Sequence, residues 1–250
     1  MIRIILSGCN GKMGQVITKL VDKRDDCEIV AGVDIDNIML STYPVFSAFK
    51  DINTPADVII DFSHPSALNS IISFVSDTKI PLVLATTGYT DLQVKQINEL
   101  AKTAPVFFSF NMSLGMNLLI DLAKKATCFL ADSFDIEIVE AHHNQKLDAP
   151  SGTAVMISNA INSVLDEQYE LNYDRHLKRE KRSKKEIGIH AIRGGTIVGE
   201  HQVIFAGQDE ILTISHSARS KEIFAVGAIK AALFMVEKPN GMYQMQDIIK

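Results

Sequence analysis

Gly8, Gly11 and Gly14 sit where a compact β-branched run meets a stretch of helical spacing. The run Ile2–Leu6 reads as a buried strand. Lys12–Val21 carries Met13, Val16, Ile17 and Leu20 on one helical face. A strand feeding a helix through a glycine turn is the start of a βαβ unit, and the pattern continues. Glu28–Val33, Val58–Phe62, Leu82–Ala85 and Val106–Phe108 repeat the strand signal. Pro65–Val75 and Asp91–Lys102 read as intervening helices, with Pro65 in a first turn and Ser63 as its N-cap. Strands alternating with helices predict a parallel sheet.

Beyond residue 112 the pattern changes. Ser113–Leu130 reads as a long helix, Asp135–Val139 as a strand ending at Glu140-Ala-His-His, and Ser151–Leu165 as a helix. Gly188–Arg193, Ile197–Phe205 and Glu210–Ser215 are strands in series, which predicts a mixed or antiparallel sheet in a different domain. Lys221–Val236 reads as a last helix. Asp166–Glu186, including Lys178-Arg-Glu-Lys-Arg182, reads as an exposed excursion with a solvated charged face. The expected fold is α/β, with a parallel-sheet domain over 1–112 and 219–250 and a second, α+β domain with a mixed sheet over 113–218.

Composition narrows the classes. With 250 residues and 46% hydrophobic content the chain can build real cores. A net charge of −5 argues against a nucleic-acid surface. No apolar run approaches the roughly 18 residues of a membrane helix, and no basic n-region with an apolar h-region opens the chain. Cys9, Cys27 and Cys128 are few and widely spaced, which reads as reduced cytoplasmic thiols.

The glycine turn has the context of a dinucleotide fingerprint, although its spacing is G-x-x-G-x-x-G. Such glycines let backbone approach a pyrophosphate at a helix N-terminus. Asp34 closes the second strand 20 residues after Gly14 and suits the ribose hydroxyls of the adenosine, with a solvated loop acid as the plain alternative. Its charge repels a 2′-phosphate, and Ile35 and Asp36 follow it rather than an arginine. That favours NADH over NADPH, while Lys12 retains some attraction for a phosphate. Ala85-Thr86-Thr87-Gly88 and Ser109-Phe110-Asn111-Met112 follow later strands, where ligands of open α/β sheets bind. Ordinary turn chemistry explains each of these equally well taken alone.

The densest run of reactive groups is Glu140-Ala-His142-His143-Asn-Gln-Lys146-Leu-Asp148-Ala-Pro150-Ser151-Gly152-Thr153-Ala154. Three chemistries compete. Metal binding lacks an H-E-x-x-H or cysteine set. Nucleophilic catalysis through Ser151 lacks a G-x-S-x-G elbow. Acid catalysis with carboxylate binding needs no missing part: histidine donates a proton near neutral pH, lysine holds a carboxylate, and the helix start at Ser151–Thr153 holds a second. The bland reading, two histidines capping a strand beside a solvated lysine, stands beside it.

Over essentially its whole length the chain resembles the bacterial 4-hydroxy-tetrahydrodipicolinate reductases of lysine biosynthesis. The run Glu140–Ala154 is similar to the family signature E-x-H-H-x-x-K-x-D-x-P-S-G-T-A, and Gly8–Gly14 to its nucleotide turn. Asp61-Phe-Ser, Thr86-Thr-Gly88, Asn111–Asn117 and Val198-Gly-Glu-His201 resemble further segments. The resemblance implies a Rossmann-type domain, a substrate domain with a mixed sheet, and a homotetramer built through that second domain. It implies a small cyclic dicarboxylate as substrate, with His142 as proton donor and Lys146 as second catalytic group. His143, Gly152 and Thr153 would bind substrate. Gly8, Cys9, Asn10, Gly11, Lys12, Met13, Asp34, Ala85, Thr86, Thr87, Ser109, Phe110, Asn111 and Met112 would contact NADH or NADPH. Lys12, Ala85 and Lys221 stand where the family often has arginine, glycine and arginine, which bears on cofactor preference.

Overall fold

A computed structural model describes residues 1–176 and 178–249. Leu177, inside the expected excursion, and Lys250, the last residue of the expected first domain, lie outside the described residues. The chain forms two compact units, one of Met1–Leu114 with the segment from Glu222 onward, the other Gly115–Lys221.

The first unit is a parallel sheet with helices. Its strands are β1 (Ile2–Ser7), β2 (Cys27–Val33), β3 (Val45–Phe46), β4 (Val58–Asp61), β5 (Leu82–Leu84) and β6 (Pro105–Phe108), with Gly241–Tyr243 added at the edge. Their order across the sheet is Gly241–Tyr243, β6, β5, β4, β1, β2, β3, every pairing parallel. Central strands of such a sheet are covered on both faces, which is why Ile4, Ile5 and Leu6 are consecutive and all fully buried. Helix α1 (Lys12–Val21) and the helix Glu222–Met235 share one apolar core with Ile4 and Ile60. Helices α2 (Leu68–Thr78) and α3 (Asp91–Ala101) share the other with Ile5 and Leu84. Thr90 and Gln93 close a capping box at the start of α3. The expected N-cap at Ser63 is not formed: the Ser63 hydroxyl donates to Asp61 at 2.5 Å, and His64 instead caps a short 3-10 turn at Pro65–Ala67 before α2 begins.

The second unit carries a mixed five-stranded sheet. Its elements are α4 (Leu114–Leu130), β7 (Asp135–His142), α5 (Gly152–Asn162), β8 (Glu170–Asn172), β9 (Glu186–Arg193), β10 (Gly199–Ala206) and β11 (Ile211–Ala218). The strand order is β11-β10-β7-β9-β8, antiparallel on the β10 side of β7 and parallel on the β9 side. Residues of α4 and α5 share a core with Ile136, Ile138, Ile189, Val203 and Phe205 of the sheet.

Two expectations are corrected. Strand β7 does not stop at Val139 but runs to His142, because β9 pairs with it through Arg193. The excursion Asp166–Glu186 is not simply solvated: Glu170–Asn172 is a parallel strand on β9, Arg175 pairs with Glu186, and Arg182 reaches Asp135 and Glu137. Among the described residues no helix is long and apolar enough to cross a membrane.

Candidate active site

In the first unit, Gly8 turns the chain from β1 toward α1 with φ +76°, and a Cβ there would stand 2.5 Å from the Phe62 carbonyl oxygen. Only glycine fits this left-handed, crowded position. Gly11 is the N-cap of α1 and offers no side chain to its first-turn N–H groups, so the helix end remains suited to an anion. A cavity of about 580 Å³ opens here, and Gly8, Asn10, Gly11 and Asp34 line it with Ser63 and His64. Asp34 is tied to the turn: its carboxylate accepts from the Asn10 N–H at 2.9 Å and from the Ile35 N–H at 2.9 Å. Asn10 Nδ2 donates to the carbonyls of Asp36 and Ile38, fixing the segment beyond Asp34.

The other expected cofactor residues do not line this cavity. Cys9 is fully buried, its N–H and carbonyl are engaged with Val33 and Gln15, and burial pushes its thiol up to about 11. Met112 lies in the core and Met13 packs against it, while Lys12 is exposed. Thr86 is buried and donates to Asp61 Oδ2 at 2.7 Å, whereas Thr87 is exposed. Ala85 donates its N–H to the Asp61 carbonyl. The Phe110 ring is exposed and packs against Phe108. Ser109 and Asn111 bind each other through hydroxyl and backbone, shaping the turn after β6.

Asp61 was not among the expected site residues. Its buried carboxylate collects Ser63, Thr86 and Tyr89, and burial raises its pKa against the pull of Ser63 and Thr86. It organises the strand ends from which Thr86 and Thr87 project.

In the second unit, strand periodicity builds the site. Ile136, Ile138, Glu140 and His142 alternate onto one face of β7. Glu140 lies opposite His201 of β10, and His142 lies opposite Arg193 of β9. Glu140 is fully buried and forms four contacts. Arg193 grips it with Nη1 at 2.8 Å and Nη2 at 2.7 Å, the Ser151 N–H donates at 3.0 Å, and His142 Nδ1 lies at 2.6 Å. Burial pushes the Glu140 carboxyl up, but Arg193, His142 and Ser151 together outweigh it and hold it below the usual range. With Nδ1 taken by an ionised carboxylate, His142 Nε2 is the ring atom left for exchange. It points at Gly199, where a Cβ would come within 3.2 Å of it. His201 packs edge-on to His142 and binds the Ser151 hydroxyl at 3.1 Å.

The loop after β7 carries the remaining candidates. It is braced by Gly194 N–H to the His142 carbonyl and Asn144 N–H to the Gly195 carbonyl. Lys146 Nζ lies 2.8 Å from Asp148 Oδ1. His143 Nδ1 is buried with no protein partner. Ser151 caps α5 by accepting from the Ala154 N–H, so Gly152 and Thr153 form the first turn, and Gly152 is exposed. His142, His143, Lys146, Gly152 and Thr153 thus occupy one strand end, the loop after it and one helix start. Arg193 and the central place of Glu140 do not emerge from the sequence pattern, and His201 figures there only within a segment similar to the family's. An arginine ending an apolar strand was the available signal for Arg193. No group of three or more His, Cys, Asp or Glu residues among the described residues is placed to hold a metal ion.

Comparison with known proteins agrees along the whole chain. Residues 2–112 match the family model "Dihydrodipicolinate reductase, N-terminus" and residues 115–249 match "Dihydrodipicolinate reductase, C-terminus". The 4-hydroxy-tetrahydrodipicolinate reductase of Caldanaerobacter subterraneus subsp. tengcongensis is 53% identical over 100% of this chain and 99% of that protein. The same enzyme of Clostridium novyi is 48% identical over the same shares. A dipicolinate-bound dihydrodipicolinate reductase from Paenisporosarcina sp. TG-14 superposes with TM-score 0.84 at 27% identity, covering 100% of both chains. A probable dehydrogenase from Thermotoga maritima, at TM-score 0.63 and 11% identity over 98% of this chain and 92% of that one, shares the fold alone.

Proposed function

The chain belongs to the dihydrodipicolinate reductase family, and from that premise we propose that it reduces 4-hydroxy-tetrahydrodipicolinate to tetrahydrodipicolinate on the route to diaminopimelate and lysine. The reaction consumes a hydride and a proton and releases water. Bound NADH or NADPH supplies the hydride. The observation that carries the reading is the pairing of His142 Nδ1 with the Arg193-held Glu140, which leaves Nε2 to deliver the proton. Lys146, His143 and the first-turn amides of Gly152 and Thr153 hold the two substrate carboxylates, with Lys146 as second catalytic cation. An acid so placed contributes about 10²–10⁴-fold to the rate.

The first unit binds the nucleotide at the Gly8–Gly14 turn. Its fit is supported by the Gly8 conformation, the uncapped α1 start and the cavity beside them. Asp34 favours NADH, since a carboxylate on that cavity disfavours a 2′-phosphate. The second unit binds substrate and builds a homotetramer, in keeping with Ile192, Ile211 and Leu212 exposed on its sheet. The assembly works in the cytoplasm.

Turnover of 4-hydroxy-tetrahydrodipicolinate, followed as NADH or NADPH oxidation, tests the reading. We expect turnover with both cofactors and the better kcat/KM with NADH. Competitive inhibition by pyridine-2,6-dicarboxylate is expected against the substrate. A His142→Gln protein that folds, binds NADH and turns over at the wild-type rate would remove His142 as the acid.

A further inference from the structure

Asp148 places a carboxylate of the protein where the substrate's carboxylate is proposed to go. Its Oδ1 lies 2.8 Å from Lys146 Nζ. Lys146 above all, and then the N–H groups of Asp148 itself and of Gly152, hold the Asp148 carboxyl below its usual range. One member of the proposed carboxylate cradle, Lys146, is therefore already paired with an internal acid.

The pair is unequal. The Lys146 side chain is 23% exposed and that of Asp148 57%. The cation is the sheltered partner and the carboxylate the outer one, beside Leu147, which is 99% exposed. The Asp148 backbone is pinned, because its carbonyl oxygen accepts from Arg193 Nη2 at 2.6 Å. Only side-chain rotation is then needed to withdraw the carboxylate from Lys146. Exposed ion pairs of this kind are weak, and breaking one costs about two- to fivefold in an equilibrium constant.

From this geometry we propose that Asp148 is a displaceable internal carboxylate. It occupies Lys146 until a substrate carboxylate exchanges with it. The proposal rests on the reading of Lys146 and Gly152 as carboxylate-binding groups. Asp148 competes with substrate for the same cation. Substrates with two carboxylates gain most, since the second contact compensates for the exchange.

Titration calorimetry with pyridine-2,6-dicarboxylate on the full-length wild type, Asp148→Asn and Asp148→Glu tests the exchange. Loss of the competing charge is expected to tighten the diacid about two- to fivefold in Asp148→Asn. KM for the substrate should fall by the same factor, with the gain confined to KM. Asp148→Glu should return toward wild type. Asp148→Ser, with no charge and less bulk, should follow Asp148→Asn. Equal or weaker diacid binding by the folded Asn and Ser variants overturns the proposal. So does a fall in kcat with affinity unchanged, which would make Asp148 an orienter of Lys146 for chemistry. If wild type itself does not bind the diacid in competition with substrate, the underlying reading fails, and this inference with it.

Discussion

Arg193 grips both carboxylate oxygens of Glu140, at 2.8 and 2.7 Å, although 53 residues separate the two in the chain. The pair is almost wholly sheltered, with side-chain exposures of 19% and 0%. A buried guanidinium–carboxylate pair is no strong source of stability, but removing one partner leaves an uncompensated charge. Glu140→Gln is therefore expected to cost about 3–5 kcal/mol of stability. It should also lose part of the ~10²–10⁴-fold that a well-placed acid contributes, because His142 loses its Nδ1 anchor. The double variant Glu140→Gln/Arg193→Met should be more stable than the sum of the single effects. Urea denaturation with steady-state kinetics on all four proteins checks this, and strict additivity would show that the pair does not act as a unit.

His201 sets a pH limit on stability. Burial, and next the neighbouring His142, push it down to about 4, against about 6.5 for a free histidine. Between those values the unfolded chain binds the proton and the folded chain does not. Stability from this group is thus complete above pH ~6.5 and is lost as pH falls toward ~4, by up to about 3 kcal/mol. Glu140, held low, adds a separate loss only below about 4.3, where the unfolded carboxylate protonates. A His201→Gln protein should show a flatter stability profile between pH 6.5 and 4. Denaturant midpoints measured across that interval decide it, and an unchanged slope would count against His201.

Gly8 has two reasons to be glycine, a φ of +76° and the Phe62 carbonyl oxygen 2.5 Å from the position of a Cβ. Gly8→Ala must adopt a left-handed conformation and also displace the chain after β4. A cost of about 1–3 kcal/mol is expected from the conformation alone. The turn that meets the nucleotide moves with it, so NADH affinity should fall by tenfold or more, roughly 1.4 kcal/mol or above. Thermal denaturation and NADH fluorescence titration test the two effects separately. Wild-type NADH binding by a destabilised Gly8→Ala protein would detach the turn from the nucleotide site.

These predictions draw unequally on what the sequence makes visible. The β1–Gly8–α1 junction is legible because strand, turn and helix are consecutive and each carries its own local signal. The run from Glu140 to Thr153 is legible for the same reason. Arg193 and His201 are not, because they meet Glu140 only through sheet register, and register is a product of tertiary packing. The two-residue strand Val45–Phe46 is too short to show a period. In the excursion before β9, Arg182 looks like a solvated charge until Asp135 and Glu137, more than 40 residues earlier, are brought beneath it. Ser63 illustrates a local signal overruled. A serine before a proline suits an N-cap, but the buried Asp61 carboxylate two residues back competes for its hydroxyl and wins.

Asp34 offers the sharpest test of cofactor choice. Its two oxygens accept from the Asn10 and Ile35 N–H groups, and each carboxylate oxygen retains capacity for a further donor such as a ribose hydroxyl. A phosphate ester in place of that hydroxyl brings no proton and a like charge. Removing the carboxylate while keeping a short hydroxyl, as in Asp34→Ser, removes the repulsion and weakens the tie to Asn10. The ratio of kcat/KM for NADPH to that for NADH should therefore rise about tenfold, equivalent to ~1.4 kcal/mol. Part of the change should come from a loss with NADH, since the carboxylate also serves its ribose. Adding a cation beside it, as in Asp34→Ser/Ile35→Arg, should raise the ratio further by pairing with the phosphate. Parallel kinetics with both cofactors measure this, and a ratio unmoved in either variant would show that Asp34 braces the turn without reading the ribose.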